Sequence, residues 1–91
     1  AVFHFLTDAA DRARYVRQVR RAVKHGGHVI VATFATDGPD RCSGLPVVKY
    51  GPEDLHAEFG DDFRLTESAR ETHVTPAGGE QRFVYCYCRV A

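Results

Sequence analysis

Cysteine and histidine, the residue types that most often bind metals or act as nucleophiles, occur three and five times in this chain of 91 residues. Cys86 and Cys88 are separated by one residue, and the chain has no second pair of cysteines. Structural zinc sites use C-x-x-C pairs. No H-x-x-x-H or H-E-x-x-H spacing joins the histidines, which are His4, His25, His28, His56 and His73. We therefore expect no metal site.

The cysteines also bear on the redox environment. Three of them, Cys42, Cys86 and Cys88, cannot pair completely within one chain. Cys86 and Cys88 are too close along a strand for an unstrained disulfide, so a reducing cytoplasm is the simplest interpretation. Cys42 follows Arg41, and a neighbouring cation favours the reactive thiolate; an inert thiol is the alternative.

A second group of polar and aromatic residues lies in segment 37–50. Glycine and proline are frequent over 37–46, which predicts a loop, and a loop of this length is often functional. The side chains it offers are Asp37, Arg41, Cys42, Ser43, Lys49 and Tyr50. The alternative is ordinary packing of a solvated surface loop.

A helix is predicted over residues 8–24. Asp8 or Thr7 is a suitable N-cap, and the Gly26-Gly27 pair supplies a left-handed stop. The apolar stripe at helical spacing consists of Tyr15, Val16, Val19, Ala22 and Val23. The arginines of this helix have two interpretations: they contact phosphate, or they form a solvated face. The balanced charge of the chain favours the solvated face.

A strand and a short helix follow. Residues 28–36 are apolar and β-branched at both alternating sets of positions, which predicts a strand covered on both faces. The helix begins at Pro52, carries Leu55 and Phe59 on one face, and ends near Gly60.

The chain closes with a predicted antiparallel hairpin. Residues 63–75 alternate but are polar, which is typical of an edge strand. Residues 76–79 form the turn. Residues 81–90 are apolar or aromatic at most positions and are predicted to form a central strand with both faces buried.

Composition excludes several classes of protein. Twelve Lys and Arg balance twelve Asp and Glu, and zero net charge argues against a nucleic-acid or anionic membrane partner. No apolar run is long enough to span a membrane. Hydrophobic residues make up 44% and charged residues 26%, as in globular proteins, and we expect one small domain over 1–91.

The order of these elements resembles a known family. Phe3-His4-Phe5-Leu6, the Gly26-Gly27 turn, strand 29–34 and the closing hairpin look like the C-terminal half of a class I S-adenosylmethionine-dependent methyltransferase. The resemblance implies an α/β fold with two helices and a partial Rossmann-like sheet. In it, the family's fourth strand ends near Phe3, the fifth is 28–36, and the sixth and seventh form the hairpin.

The resemblance also implies where ligands bind. S-adenosylmethionine is the family's cofactor, and Phe3, His4 and Phe5 would lie beside it. The methyl-acceptor cleft would be lined by Thr33, Phe34, Asp37, Arg41, Cys42 and Tyr50. Core and loop packing is the alternative for both groups, and no residue is assigned a catalytic role. The chain has no G-x-G-x-x-G turn of the kind that holds such cofactors, so we expect none to bind to this chain alone.

Three functions follow, and whether the chain is an enzyme stays open. The first is a methyltransferase-like fragment, about half a domain, that is not catalytic alone. It would form a homodimer or join a complementary chain across an exposed sheet edge. The second is a non-enzymatic module that binds a small molecule or protein around His4, Phe34 and Tyr50. The third is a methyltransferase completed by dimerisation or by a partner chain.

Overall fold

A computed structural model of the chain describes residues 2–42 and 44–90. It begins with a 3-10 turn at Phe3–Phe5, followed by helix α1 at Ala9–Ala22 and strand β1 at His28–Phe34. The remaining elements are β2 (Arg41–Cys42), β3 (Leu45–Pro46), α2 (Pro52–Phe59), β4 (Phe63–Val74) and β5 (Glu80–Val90). The fold is mixed α/β with two helices and a C-terminal antiparallel hairpin, as predicted. Neither described helix is long and apolar enough to cross a membrane.

Strand β5 lies at the centre of the main sheet, whose order is β1-β5-β4. Both of its pairings are antiparallel: Cys86 lies opposite Val31 on one side and opposite Ser68 on the other. The central position predicted for the last strand and the edge position predicted for the strand before it are confirmed. Strands β2 and β3 form a separate two-stranded ladder within the predicted loop.

The Rossmann-like part of the prediction is not confirmed by the described residues. A Rossmann-like sheet consists mostly of parallel strands, whereas both pairings of the three-stranded sheet are antiparallel. The short turn after Val74 joins β4 directly to β5, and so short a connection forces an antiparallel pair. The second pairing, between β5 and β1, is antiparallel as well.

The strand end predicted near Phe3 is wrong. In the 3-10 turn, the Phe5 N–H donates to the Val2 carbonyl over 3.0 Å and the Leu6 N–H donates to the Phe3 carbonyl over 3.1 Å. No strand among the described residues pairs with this segment, so an extended backbone would leave its amide groups without partners. The turn supplies local partners for the N–H groups of Phe5 and Leu6, and the His4 carbonyl accepts from the Val48 N–H over 2.8 Å.

The two faces of the sheet differ in burial. Val84, Cys86 and Cys88 of β5 are 1–2% exposed, and residues of both helices pack on this face. On the opposite face the aromatic residues of β5 are half-buried and Ile30 is 64% exposed. The prediction that β1 and β5 are covered on both faces is therefore wrong, because both helices lie on the same side.

Phe3 joins the 3-10 turn to the covered face. Its side chain is 2% exposed, and its ring packs against the rings of Tyr15, Tyr50 and Phe59 at centroid distances of 5.5, 5.8 and 5.1 Å. These partners come from α1, the loop before α2, and α2. One aromatic side chain thus holds together segments that are distant in the chain.

Helix α1 begins as predicted but ends two residues earlier. Asp8 is its N-cap and accepts a hydrogen bond from the Ala10 N–H over 2.8 Å. Val23 already has an extended backbone. Gly26 follows at φ +78°, and its N–H donates to the Val90 carbonyl over 2.8 Å. This hydrogen bond fixes the turn to the end of β5, and the left-handed φ favours glycine.

Helix α2 confirms its prediction more closely. Pro52 occupies the first turn, and Leu55 and Phe59 are 0% and 6% exposed. The helix ends before Gly60, whose φ is +86°. A proline at the start and a glycine just past the end are the usual boundaries of a helix.

We expect Phe63→Ala to cost about 3–5 kcal/mol of unfolding free energy. The side chain is 0% exposed and meets the Phe59 ring edge-on at 5.2 Å, so truncation leaves a cavity in the core. Urea unfolding followed by circular dichroism measures the change. Val74→Ala, at the other end of β4 and 70% exposed, should stay within about 0.5 kcal/mol of the wild type. Equal losses in the two variants would contradict this description of the core.

Candidate functional site

Strand β1 has an outer edge that faces away from β5. This edge is the candidate site, because part of its backbone is open to hydrogen bonding with another chain. The Ala35 N–H donates to the Arg82 carbonyl over 2.8 Å, and the Val90 N–H donates to the Gly27 carbonyl over 2.9 Å. Backbone groups alternate between the two sides of a strand. The odd-numbered residues of β1 therefore bond to β5, and the even-numbered residues direct their N–H and C=O groups outward.

At its carboxyl end this edge is closed. The Phe34 N–H donates to Nδ1 of His4 over 3.0 Å, and the Phe34 carbonyl accepts from the Tyr50 N–H over 3.1 Å. Tyr50 also forms a parallel bridge with Ala35. Phe34 thus has both of its outward groups paired, one by a side chain and one by a loop.

Further towards the amino end the edge is open. Among residues 2–42 and 44–90, no backbone group pairs with the outward N–H and C=O groups of Ile30 or Ala32. A groove of about 230 Å³ runs beside this stretch and is lined by Phe3, Tyr15, Val19 and residues 29–32. Unpaired strand groups next to apolar side chains are a template for binding another extended chain.

His4 is the polar residue that terminates the open edge. Its side chain is 1% exposed, and burial lowers the pKa of the imidazole below its ordinary value of 6.5, because a buried ring disfavours charge. Nδ1 accepts the Phe34 N–H, so the proton of the neutral ring is on Nε2. That N–H has no hydrogen-bond partner in the described part of the chain.

Tyr50 lies beside an ion pair that links the two helices. Nε of Arg12 is 3.1 Å from Oε1 of Glu58, and Nη1 of Arg12 donates to the Leu6 carbonyl over 3.1 Å. Burial raises the pKa of the Tyr50 phenol, the Glu58 carboxylate raises it further, and the Arg12 guanidinium opposes them. The phenol is therefore neutral, and its oxygen has no partner within the described ranges.

The candidate cofactor and acceptor residues do not converge on one open cleft. His4, Phe34 and Tyr50 are joined by the hydrogen bonds above, but they are buried, as are Phe3 and Thr33, whereas Phe5 is half-buried. The exposed and half-exposed residues are separate. Nη2 of Arg70 donates to Asp37 over 2.6 Å. Arg41 and Cys42 form β2, where Arg41 donates to the Gly44 carbonyl over 3.0 Å. Ser43 lies outside the described residues.

The cysteines of β5 are poorly suited to nucleophilic chemistry. Cys86 and Cys88 are free and buried, and burial, with a smaller contribution from Cys88, raises the pKa of the Cys86 thiol to about 11. Burial also raises the pKa of Cys88. A thiol rather than a thiolate is then present at neutral pH. Among the described residues no group of three or more potential ligands could hold a metal ion.

Comparison with known proteins assigns no family. No protein-family model matches this chain, and a search of curated proteins finds no similar sequence. The resemblance to methyltransferases therefore stands on the quoted residues and on the order of the elements.

The sequence gives no signal for the Arg12–Glu58 pair or for the contact of His4 with the Phe34 N–H. Their members are far apart in the chain, and Arg12 belongs to a run of arginines that looks uniform. Apolar residues around His4 are visible in the sequence. They indicate burial of the imidazole but do not identify the group that it accepts.

We expect unfolding free energy to fall as the pH drops below 6.5, the ordinary pKa of histidine. The unfolded chain then takes up a proton that buried His4 resists. The contribution of neutral His4 to the unfolding free energy is therefore complete above pH 6.5, and it is lost as the pH falls towards the lower pKa of His4 in the folded state. The loss reaches up to ~1.4 kcal/mol per pH unit. His4→Asn keeps an acceptor for Phe34 but cannot titrate, so its stability should vary less with pH.

Urea unfolding from about pH 8 to about pH 5 tests this expectation. The control is His25→Asn, which removes an exposed histidine and should leave the wild-type pH dependence unchanged. Identical pH dependence in wild type and His4→Asn would show that His4 does not couple protonation to folding.

Proposed function

We propose that this chain is a methyltransferase-like partial domain that associates through the outer edge of β1 and is not catalytic alone. A second copy of the chain is the first candidate partner. The observation that carries the proposal is the open backbone at Ile30 and Ala32, beside the apolar groove.

Strand direction supports the methyltransferase-like part of the proposal. β1 and β4 are each antiparallel to β5, so they run in the same direction with a reversed strand between them. The family resemblance implies a sheet that ends in such a reversed hairpin.

The open edge lies on the side where the family's fourth strand would pair with β1. Ile30 is 64% exposed and Val31 is 8% exposed, so a strand added there would extend the sheet and cover part of Ile30. β1 is apolar from Val29 to Ala32, and in an antiparallel pairing two copies present the same residues to each other. Such an interface has the two-fold symmetry common in homodimers. A complementary chain that supplies further strands is the alternative partner.

The residues beside the supposed cofactor position do not fit S-adenosylmethionine. Phe3 and His4 are 2% and 1% exposed, and Nδ1 of His4 is already bonded to Phe34. Asp37, expected at the methyl-acceptor cleft, instead forms an ion pair with Arg70. We therefore derive no methyl-transfer step from this chain.

Sedimentation velocity at micromolar concentration tests the association. We expect the wild type to be dimeric and Ile30→Pro to be monomeric, because proline removes the outward N–H at this position without removing a hydrogen bond to β5. Ile30→Thr, which keeps the N–H and the β-branched shape, should remain dimeric. Urea unfolding of each variant verifies that the fold is retained. A monomeric wild type, or a folded Ile30→Pro dimer of unchanged affinity, would contradict pairing through this edge.

Calorimetric titration with S-adenosylmethionine tests the second part of the proposal. We expect no binding tighter than about 100 μM, which corresponds to about −5.5 kcal/mol. The demethylated product of S-adenosylmethionine is titrated as the matched ligand. Tighter binding of either compound to the folded wild type would overturn the claim that the chain alone lacks a donor site.

A further inference from the structure

A basic cleft lies at the end of the sheet farthest from Phe34. Its volume is about 300 Å³, and it is lined by His25, Gly26, Arg64, Arg89 and Val90. The turn after α1 forms one wall, and the start of β4 with the end of β5 forms the other. None of these lining residues belongs to the β1 edge proposed above for association.

We propose that this cleft binds a phosphate dianion, with Arg64 and Arg89 as the binding residues. The two arginines lie directly opposite each other across β4 and β5, so their side chains leave the same face of the sheet. Like charges in this relation destabilise an antiparallel pair. An anion bound between them converts this repulsion into two favourable interactions.

The neighbouring strand adds a third nitrogen-bearing side chain to the row. His28 of β1 lies opposite Arg89, which gives the order His28, Arg89, Arg64 across three strands. Five other arginines, Arg12, Arg14, Arg20, Arg70 and Arg82, form ion pairs with carboxylates. Within residues 2–42 and 44–90, Arg64 and Arg89 form no such pair, and neither do Arg17, Arg21 and Arg41, but only Arg64 and Arg89 are opposed across two strands.

Arg89 is held in position before any ligand binds. Its Nε donates to the Gly26 carbonyl over 3.1 Å, and the same turn is fixed to β5 by the Gly26 N–H to the Val90 carbonyl. No hydrogen bond joins the two Nη atoms of Arg89 to the described residues. A guanidinium restrained at Nε leaves those two atoms available for a bidentate contact with a tetrahedral anion.

Charge and size favour phosphate over other anions. Two arginines supply two positive charges, which match a dianion better than a single carboxylate. A volume of about 300 Å³ is at the lower limit of small-molecule sites and accommodates a phosphate group with a small substituent. Free phosphate and a small phosphomonoester share this chemistry.

The site is tested by titrating inorganic phosphate into the folded protein at constant ionic strength, with NMR of backbone and arginine N–H groups. We expect saturable shifts at Gly26 and Arg89 with a dissociation constant on the order of 1 mM. Arg64→Gln, which removes no hydrogen bond to the described chain, should weaken binding about tenfold. Arg89→Gln should do the same. Arg17→Gln, with the same change in net charge on α1, should bind as the wild type does.

Three results would overturn the proposal: absence of saturation, equal affinity in wild type and Arg64→Gln, or an equal loss in Arg17→Gln. Acetate that binds as tightly as phosphate would overturn the assignment to a dianion. Ribose 5-phosphate distinguishes the two sources. Tighter binding than inorganic phosphate assigns the site to a phosphomonoester, and equal binding assigns it to free phosphate. Neither result depends on the oligomeric state of the chain.

Discussion

The hydrogen bond from the Phe34 N–H to Nδ1 of His4 determines how the first part of the chain joins the sheet. Nδ1 accepts an outward amide N–H of β1. The same bond holds the 3-10 turn against the strand, which brings Phe3 into the core. Through Phe3 the turn contacts both helices and Tyr50. The interaction requires a neutral imidazole, and burial of the ring supplies that condition.

The two helices share one face of a three-stranded sheet, and this arrangement explains several other properties. The covered face contains the tightly packed residues of β5, whereas the other face leaves Ile30 and the ring of Tyr87 in contact with solvent. Burial of the thiols of Cys86 and Cys88 follows from the same alternation, because both lie on the covered face. Arg64 and Arg89 lie at the end of the uncovered face, which leaves room for the basic cleft.

Much of the secondary structure could be predicted because local signals act over a few residues. Asp8, Pro52 and Gly60 identify helix boundaries through their own backbone preferences, and the hairpin follows from its turn and its alternation. Burial is harder to predict from the sequence than secondary structure. The apolar residues of β1 indicate two covered faces, but the number of layers depends on where the helices pack, and no local pattern encodes that. The region around Phe3 has an equally apolar sequence, and it becomes a turn because no described strand pairs with its backbone.

The candidate site was only partly accessible to sequence reasoning. The family resemblance groups His4, Phe34 and Tyr50, and they do meet, but within the core: the Phe34 N–H donates to the His4 ring, and the Phe34 carbonyl accepts from the Tyr50 N–H. The opposed pair Arg64 and Arg89 depends on the register of β4 and β5. This register includes an irregularity between Leu65 and Glu67, and such a shift leaves no clear mark in the sequence.

The closure of β1 at Phe34 limits what can be added along its length. His4 and Tyr50 occupy the position that the next residues of an incoming strand would need, so only His28 to Ala32 can receive one. At about 3.3 Å per residue, this is roughly 16 Å of backbone. A strand displaced by two residues would meet the His4 ring or lose contact with Ala32. In the association proposed above, the imidazole would act as a steric stop that selects one register, and the short remaining edge would keep the contact small.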